Sequence, residues 1–176
     1  MSFRNQGLRG SAFEEMVNLS NERYKSLGLA VVEKIPTPIT PVAICKETRH
    51  ITLAYFDKKS TVDYIGAVQG IPICFDAKET RLKSYPINNI HRHQIEFMES
   101  FAAQKGIAFM LINFATLNEC FFLPFEDLKT FWDKAQSGGK KSINYDEFDQ
   151  EYLIEQKGGI LKYLDAMNIY LSRSSY

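Results

Sequence analysis

The chain is expected to adopt an α/β fold, a mixed β-sheet flanked by helices with one protruding excursion at about residues 37–60. Three observations carry that expectation. Ile107-Ala-Phe-Met-Leu-Ile-Asn-Phe114 is a near-continuous apolar run, the pattern of a strand buried on both faces. Segments with helical apolar spacing stand before and after it. Between Thr61 and Lys78 lie two β-favouring runs separated by Gln69-Gly70, which suits a strand, a tight turn and a second strand.

The elements follow in order. From Ser11, residues Phe13, Met16, Val17, Leu19 or Ser20, Tyr24 and Leu27 keep helical spacing. Ser11 is the expected cap, Glu14 completes a capping box three residues later, and Gly28 stops the helix. Leu29 to Ile35 is the next strand, after which Pro36, Pro38 and Pro41 call for an extended path outside a sheet. Residues 37–60 are long for a loop, and loops of that size are usually functional or disordered. Its apolar runs, Val42–Cys45 and Ile51–Phe56, are each the length of one arm of a projecting hairpin. After the 62–78 hairpin, Ser84 to Asn89 is a polar connector, and about His91 to Lys105 is helical with Ile95, Met98, Phe101 and Ala102 on one stripe. Gly106 ends that helix, Ile107–Phe114 and Glu119–Leu123 are neighbouring strands, and Phe125–Ala135 is a further helix. Gln136 to Ser142 is expected to be a flexible loop, and the remainder two short helical stretches.

Composition narrows the functional classes. With 176 residues, 45% of them hydrophobic, the chain suits one domain, 1–176, with a substantial core. It has no apolar run of about 18 residues and no basic-then-apolar start, so a cytoplasmic protein is expected, without membrane span or secretory signal. Cys45, Cys74 and Cys120 form no Cys-x-x-Cys pair, which disfavours both a disulfide framework and a zinc site. The net charge is zero, yet residues 1–105 hold 14 Lys/Arg against 11 Asp/Glu, and residues 106–176 hold 7 against 10. A polyanion would be held by the first part.

The 61–78 segment carries the strongest chemical signal. If Gln69-Gly70 is a two-residue turn, Asp63 and Asp76 are equidistant from it and face each other, with Cβ atoms roughly 4.5–5.5 Å apart. Side chains alternate along a strand, so Lys78 shares that face while Ile71, Ile73, Phe75 and Ala77 point into the core. Facing carboxylates destabilise a ladder unless something cationic lies between them, and a divalent metal is the natural occupant. The plainer alternative is an Asp–Lys salt bridge on a polar strand face. Acid-x-Lys also occurs at Asp57-Lys-Lys59, Asp127-Leu-Lys129 and Glu155-Gln-Lys157, but only the Asp76 copy ends an apolar run with a second acid at hairpin distance.

Other residues are weaker candidates. Glu14 and Glu15 occupy a first helical turn, where acids are favoured by the macrodipole anyway. His91 and His93, two apart on a helix, should diverge and suit surface or packing roles. Gln94 could reach the site, although a lone Gln usually faces solvent. Gly138-Gly-Lys-Lys-Ser142 lacks the first glycine of a phosphate loop and does not follow a buried strand. Tyr55, Phe56, Lys58 and Lys59 combine aromatics with charge, a pairing suited to stacking on unpaired bases.

Taken together, these segments resemble the RecU-type Holliday junction resolvases, a branch of the PD-(D/E)xK nuclease superfamily. The similarity covers nearly the whole chain. It is carried by Arg9-Gly10, Phe13-Glu14-Glu15, Lys34-Ile-Pro-Thr-Pro38, Ala54-Tyr-Phe56, Ser60-Thr-Val-Asp-Tyr64, Phe75-Asp-Ala-Lys-Glu-Thr80, Tyr85-Pro86, His93-Gln-Ile-Glu96, Gly106-Ile-Ala-Phe109 and Lys141-Ser-Ile143. The resemblance implies a restriction-endonuclease-like core in which Asp63, Asp76, Glu14 and the Ala77 carbonyl bind Mg²⁺, with Mn²⁺ as the second candidate ion. It implies that Lys78 is the catalytic lysine, with Gln94 and Thr61 as auxiliary groups. It makes residues 37–60 a stalk that enters a four-way DNA junction, with Lys34, Arg49, Tyr55, Phe56 and Arg9 as DNA contacts. Relatives usually carry Glu where Asp76 stands, and the stalk and basic N-terminal tail are shorter here.

The resemblance further implies a Mg²⁺-dependent endonuclease acting in recombination and repair as a homodimer, with recombinase or branch-migration proteins as further partners. Two alternatives remain at this level. One is a nuclease of the same core acting on linear or damaged duplex; the other is a non-catalytic DNA-binding partner of the recombinase, for which the Asp63, Asp76 and Lys78 set would be superfluous.

Overall fold

Helix α1 (Ala12–Ser26) begins the described part of this computed structural model, which comprises residues 12–56 and 61–174. The expected Ser11 cap, the Arg9 DNA contact and Lys58 and Lys59 lie outside the described residues. At the other end of α1 the stop is the expected one. Gly28 has φ +67°, its N–H donates to the Lys25 carbonyl, and the Leu29 N–H reaches back to the Tyr24 carbonyl at 3.0 Å. This is a Schellman closure, for which glycine is favoured because the left-handed conformation crowds a Cβ. Phe13, Val17, Ser20 and Tyr24 are buried as the spacing requires, whereas Leu19 and Leu27 are exposed.

Strands β1 (Ala30–Lys34), β2 (Ile39–Ile44), β3 (Ile51–Phe56), β4 (Tyr64–Val68), β5 (Ile71–Thr80) and β6 (Ser84–Pro86) follow. Then come α2 (Arg92–Ala103), β7 (Ile107–Phe114), β8 (Glu119–Pro124), α3 (Phe125–Gln136) and β9 (Ser142–Asn144). The chain ends with β10 (Leu153–Ile154), β11 (Gln156–Lys157), β12 (Ile160–Leu161) and α4 (Tyr163–Arg173). The main sheet has the order β1-β4-β5-β7-β8-β10. Its neighbours are antiparallel except β5 and β7, which run parallel and are joined by a crossover through α2. The expected mixed sheet flanked by helices is therefore present.

The sheet is covered on both faces. On one, α1 and α4 pack over a row of rings, Tyr64, Phe75, Phe109 and Phe122, contributed by four adjacent strands. Their successive centroids lie 4.8, 4.7 and 4.4 Å apart, so the aromatic row ties the strands across the sheet. On the other face α2 and α3 cover Cys74, Met110, Ile112 and Leu123. All of β7 is buried, as its unbroken apolar run requires. β5 departs from the expected one-sided pattern: Ile73 and Phe75 enter the first core, but Cys74 enters the second and Asp76 is also fully buried.

Four further expectations need correction. The 84–89 connector holds β6, paired with β9, and a 3₁₀ turn, because Tyr85 and Ile143 face each other and are both buried. The expected flexible loop at 136–142 is a tight helix ending, in which Gly139 N–H donates to the Lys134 carbonyl, leading directly into β9. The C-terminal part has one α-helix, preceded by 3₁₀ turns and two-residue strands that exist through pairing with β8 or each other. Pro41 lies within a strand, paired with Ala54 beside a register irregularity in a ribbon that, among the described residues, has no further strand on either side, where a missing N–H costs least.

Candidate active site

The β4–β5 turn determines the geometry of the site. Gln69 (φ 47°) and Gly70 (φ 91°) both adopt the left-handed conformation that a type I′ hairpin demands. The ladder pairs Val68 with Ile71 and Tyr64 with Phe75 without interruption, and this register brings Asp63, just outside β4, to Asp76. The Asp63 N–H donates to Asp76 Oδ1 at 2.7 Å. Lys78 Nζ donates to Asp63 Oδ2 at 2.9 Å and lies 3.9 Å from Asp76 Oδ2, while the Ala77 N–H approaches Asp63 Oδ2 at 3.4 Å. Asp63, Asp76 and Lys78 are thus gathered at one place.

The two carboxylates differ sharply in setting. Asp63 is partly exposed, whereas Asp76 is 0% exposed, in a strand bonded on both sides. Burial pushes the Asp76 carboxyl up to about 7; the Lys78 ammonium pulls it down and the Asp63 charge adds to the rise. Asp76 Oδ2 is buried with no hydrogen-bond partner. A buried carboxylate oxygen left in this way is costly unless a cation satisfies it, so the donor set fits a hard divalent ion. Asp63, Asp76 and the Ala77 carbonyl would hold it, with Lys78 alongside.

The remaining candidates fall at different distances from this centre. Glu14 is held by Lys34 in an ion pair, on α1, which packs over the ring-lined face of the sheet. Its nearness shows through Tyr64, whose hydroxyl donates to Asn18 one helical turn beyond Glu14 and whose ionisation is raised by burial and then by Glu14 and Asp63. Among the described residues no group of three or more His, Cys, Asp and Glu stands ready to hold a metal ion. Gln94 is buried rather than solvent-facing, and its Oε1 accepts the His91 N–H at the start of α2. His91 precedes the helix instead of lying on it, so its ring stacks on His93 with centroids 5.4 Å apart rather than diverging. Thr61 is exposed on the approach to Asp63.

The ribbon β2–β3 forms a sheet of its own. Its side chains are almost all exposed, including Tyr55 and, at 75%, Phe56. Arg49 (φ 57°) sits in the exposed turn at its tip, closed by the Arg49 N–H donating to the Cys45 carbonyl. Sequence reasoning missed Tyr85, a fully enclosed tyrosine whose hydroxyl has no hydrogen-bond partner and whose ionisation is raised by burial, then by Asp76 and Asp63. Tyr85-Pro86 stood among the residues that carry the resemblance, but its place between polar residues pointed to a connector and gave it no role in the site.

The family model for recombination protein U matches residues 8–169. The Holliday junction resolvase RecU of Pediococcus pentosaceus is 43% identical over 168 residues, covering 92% of this chain and 84% of that one. That of Staphylococcus carnosus is 42% identical over the same length, covering 92% and 81%, and that of Oceanobacillus iheyensis 46% over 142 residues, covering 78% and 72%. A solved structure of Archaeoglobus fulgidus Hjc, a Holliday junction resolvase, overlaps 66% of this chain and 78% of its own at 13% identity and a TM-score of 0.41, too loose to bear on fold or function. A family match across almost the whole described chain, together with relatives above two-fifths identical over most of both lengths, makes this protein a member of the RecU family.

Proposed function

We propose that the protein is a divalent-metal-dependent endodeoxyribonuclease that resolves four-way DNA junctions by paired, symmetric nicks. The observation that carries this reading is the Asp63–Asp76–Lys78 centre, with a buried carboxylate oxygen that accepts no hydrogen bond, on a molecule that also projects an aromatic-bearing ribbon. The names of its relatives, Holliday junction resolvases, support the same substrate. A bound Mg²⁺, or Mn²⁺, would supply activation of the attacking water and Lewis-acid relief of charge on the phosphate. Asp63 and Asp76 would hold that ion, and the Asp63 N–H bond to Oδ1 holds the Asp76 carboxylate in place. Lys78 orients the attacking water and offsets negative charge developing on the phosphate as the P–O bond to the 3′-oxygen breaks. Glu14 completes the acidic set from α1 if DNA draws Lys34 away from it.

The chain works as one nuclease domain whose β2–β3 ribbon is the stalk, with Arg49 in the tip turn toward the junction centre and Tyr55 and Phe56, paired with Thr40 and Ile39, at its base with Lys34. Two nicks related by a twofold axis call for a C₂ homodimer, and phosphate contacts make affinity fall with salt. No described helix is long and apolar enough to cross a membrane, in keeping with work on cytoplasmic DNA beside recombinase or branch-migration proteins. The test is Mg²⁺-dependent cleavage of a synthetic four-way junction beside a linear duplex of the same sequence. Symmetric nicks confined to the junction are expected; equal cleavage of both would replace the reading with a general nuclease, and binding without cleavage with an accessory DNA-binding protein.

A further inference from the structure

Among the described residues, two buried side-chain polar atoms have no hydrogen-bond partner: Asp76 Oδ2 and the Tyr85 hydroxyl. They belong to the same side of the sheet. Asp76 is two residues beyond Cys74 on β5, and Cys74 and Tyr85 share the hydrophobic layer beneath α2 and α3. The chain between them turns back tightly: Thr80 Oγ1, on that same face, donates to the Ser84 carbonyl at 3.2 Å and accepts the Leu82 N–H at 3.1 Å. β6 is then anchored by β9, with Tyr85 opposite the fully buried Ile143. A hydroxyl buried without a partner is costly, and a carboxylate oxygen more so. Phenylalanine would fill the same space without that penalty.

We propose that Tyr85 is a positioning residue for the metal-binding carboxylate, its hydroxyl donating to the inward lone pair of Asp76 Oδ2 across one buried water or after a small carboxylate rotation. The other lone pairs of the carboxylate would remain free to hold a cation. Metal-ligating carboxylates are commonly steadied by such outer donors, whose loss weakens metal binding. The negative field of Asp76 acting on the Tyr85 hydroxyl, larger than that of Asp63, is in keeping with this placement. The inference rests on the proposed metal-dependent nuclease reading for the role of Asp76, so its test does not use cleavage.

The experiment is Mn²⁺ titration of the DNA-free protein by calorimetry for the native chain and Tyr85→Phe, with thermal unfolding of both, and of Asp76→Ala and the double variant, in chelator. Tyr85→Phe is expected to weaken Mn²⁺ binding by about tenfold or more. It is also expected to lower Tm in the native background but not when Asp76 is Ala. Unchanged Mn²⁺ affinity overturns the proposal. So does a loss of Tm that persists in the Asp76→Ala background, since that marks a packing role. A protein that binds Mn²⁺ in this Tyr85-dependent way but leaves junctions intact would refute the proposed substrate and leave the Tyr85 assignment standing.

Discussion

The chain contains two successive β-hairpins that differ in almost every physical respect. β4–β5 closes on a two-residue turn, keeps an uninterrupted register and is enclosed between helical layers, whereas β2–β3 closes on a longer turn, carries two register irregularities and leaves almost all its side chains exposed. A lone two-stranded ribbon is marginally stable in water, and this one exposes Ile44, Ile51, Leu53, Tyr55 and Phe56. The enclosed hairpin holds Asp63, Asp76 and Lys78 in a fixed register, the placement that the proposed reaction centre needs. The projecting one can adapt to a surface. In the proposed reading, chemistry and recognition are divided between a rigid and a compliant copy of the same motif.

The largest expected effect lies in the enclosed hairpin. Phe75→Ala removes a ring stacked between Tyr64 and Phe109 and should destabilise by about 3–5 kcal/mol, read from urea unfolding. A loss below about 1 kcal/mol would mean that the sheet centre is no more demanding than the ribbon. Asp76→Ala should cut Mg²⁺-dependent cleavage by more than about 100-fold while leaving junction binding in gel-shift assays intact, because outer-shell losses alone reach that size. Undiminished nicking would sink the site assignment.

The same residue sharpens the comparison through pH. In chelator-treated protein the Asp76 carboxyl is pushed up to about 7 from 3.8, so the native state binds its proton more tightly than the unfolded chain. Below about pH 4 both states are protonated and the site costs nothing. As pH rises towards 7 the native protein loses stability relative to Asp76→Asn, and the gap then levels off. A gap that stays constant from pH 4 to 8 would contradict the buried setting, and adding Mg²⁺ should narrow it at neutral pH.

For the projecting ribbon, Phe56→Ala should weaken junction binding by about 1–3 kcal/mol, the scale of one base–aromatic stack, and linear-duplex binding by less. Equal losses on both substrates would reject a junction-specific role for Phe56. The smallest effect is on folding: Leu53→Ala and Phe56→Ala should each change unfolding free energy by no more than about 0.5 kcal/mol, since neither ring nor isobutyl group is buried. A larger loss would show that something covers the ribbon.

Where local rules govern, the sequence was a sufficient guide. α1 and its Gly28 stop, the apolar β7 and the β4–β5 register follow from spacing and from a turn that permits one pairing, because slipping one residue would turn Ile73 and Phe75 to the other face. That register made the Asp63–Asp76–Lys78 cluster legible before any coordinates. Four matters were left to the tertiary structure. The burial of Asp76 depends on β7 and α2 closing over β5 from distant parts of the chain. The ion pair of Glu14 with Lys34 depends on how α1 settles across the sheet. Strands as short as β6, β9 and β10 have no pattern of their own and exist through partners some 30 to 60 residues away. The meeting of Tyr85 with the carboxylate layer has the same origin. Periodicity and turn chemistry are properties of a few neighbouring residues, whereas desolvation and long-range pairing are properties of the packed whole.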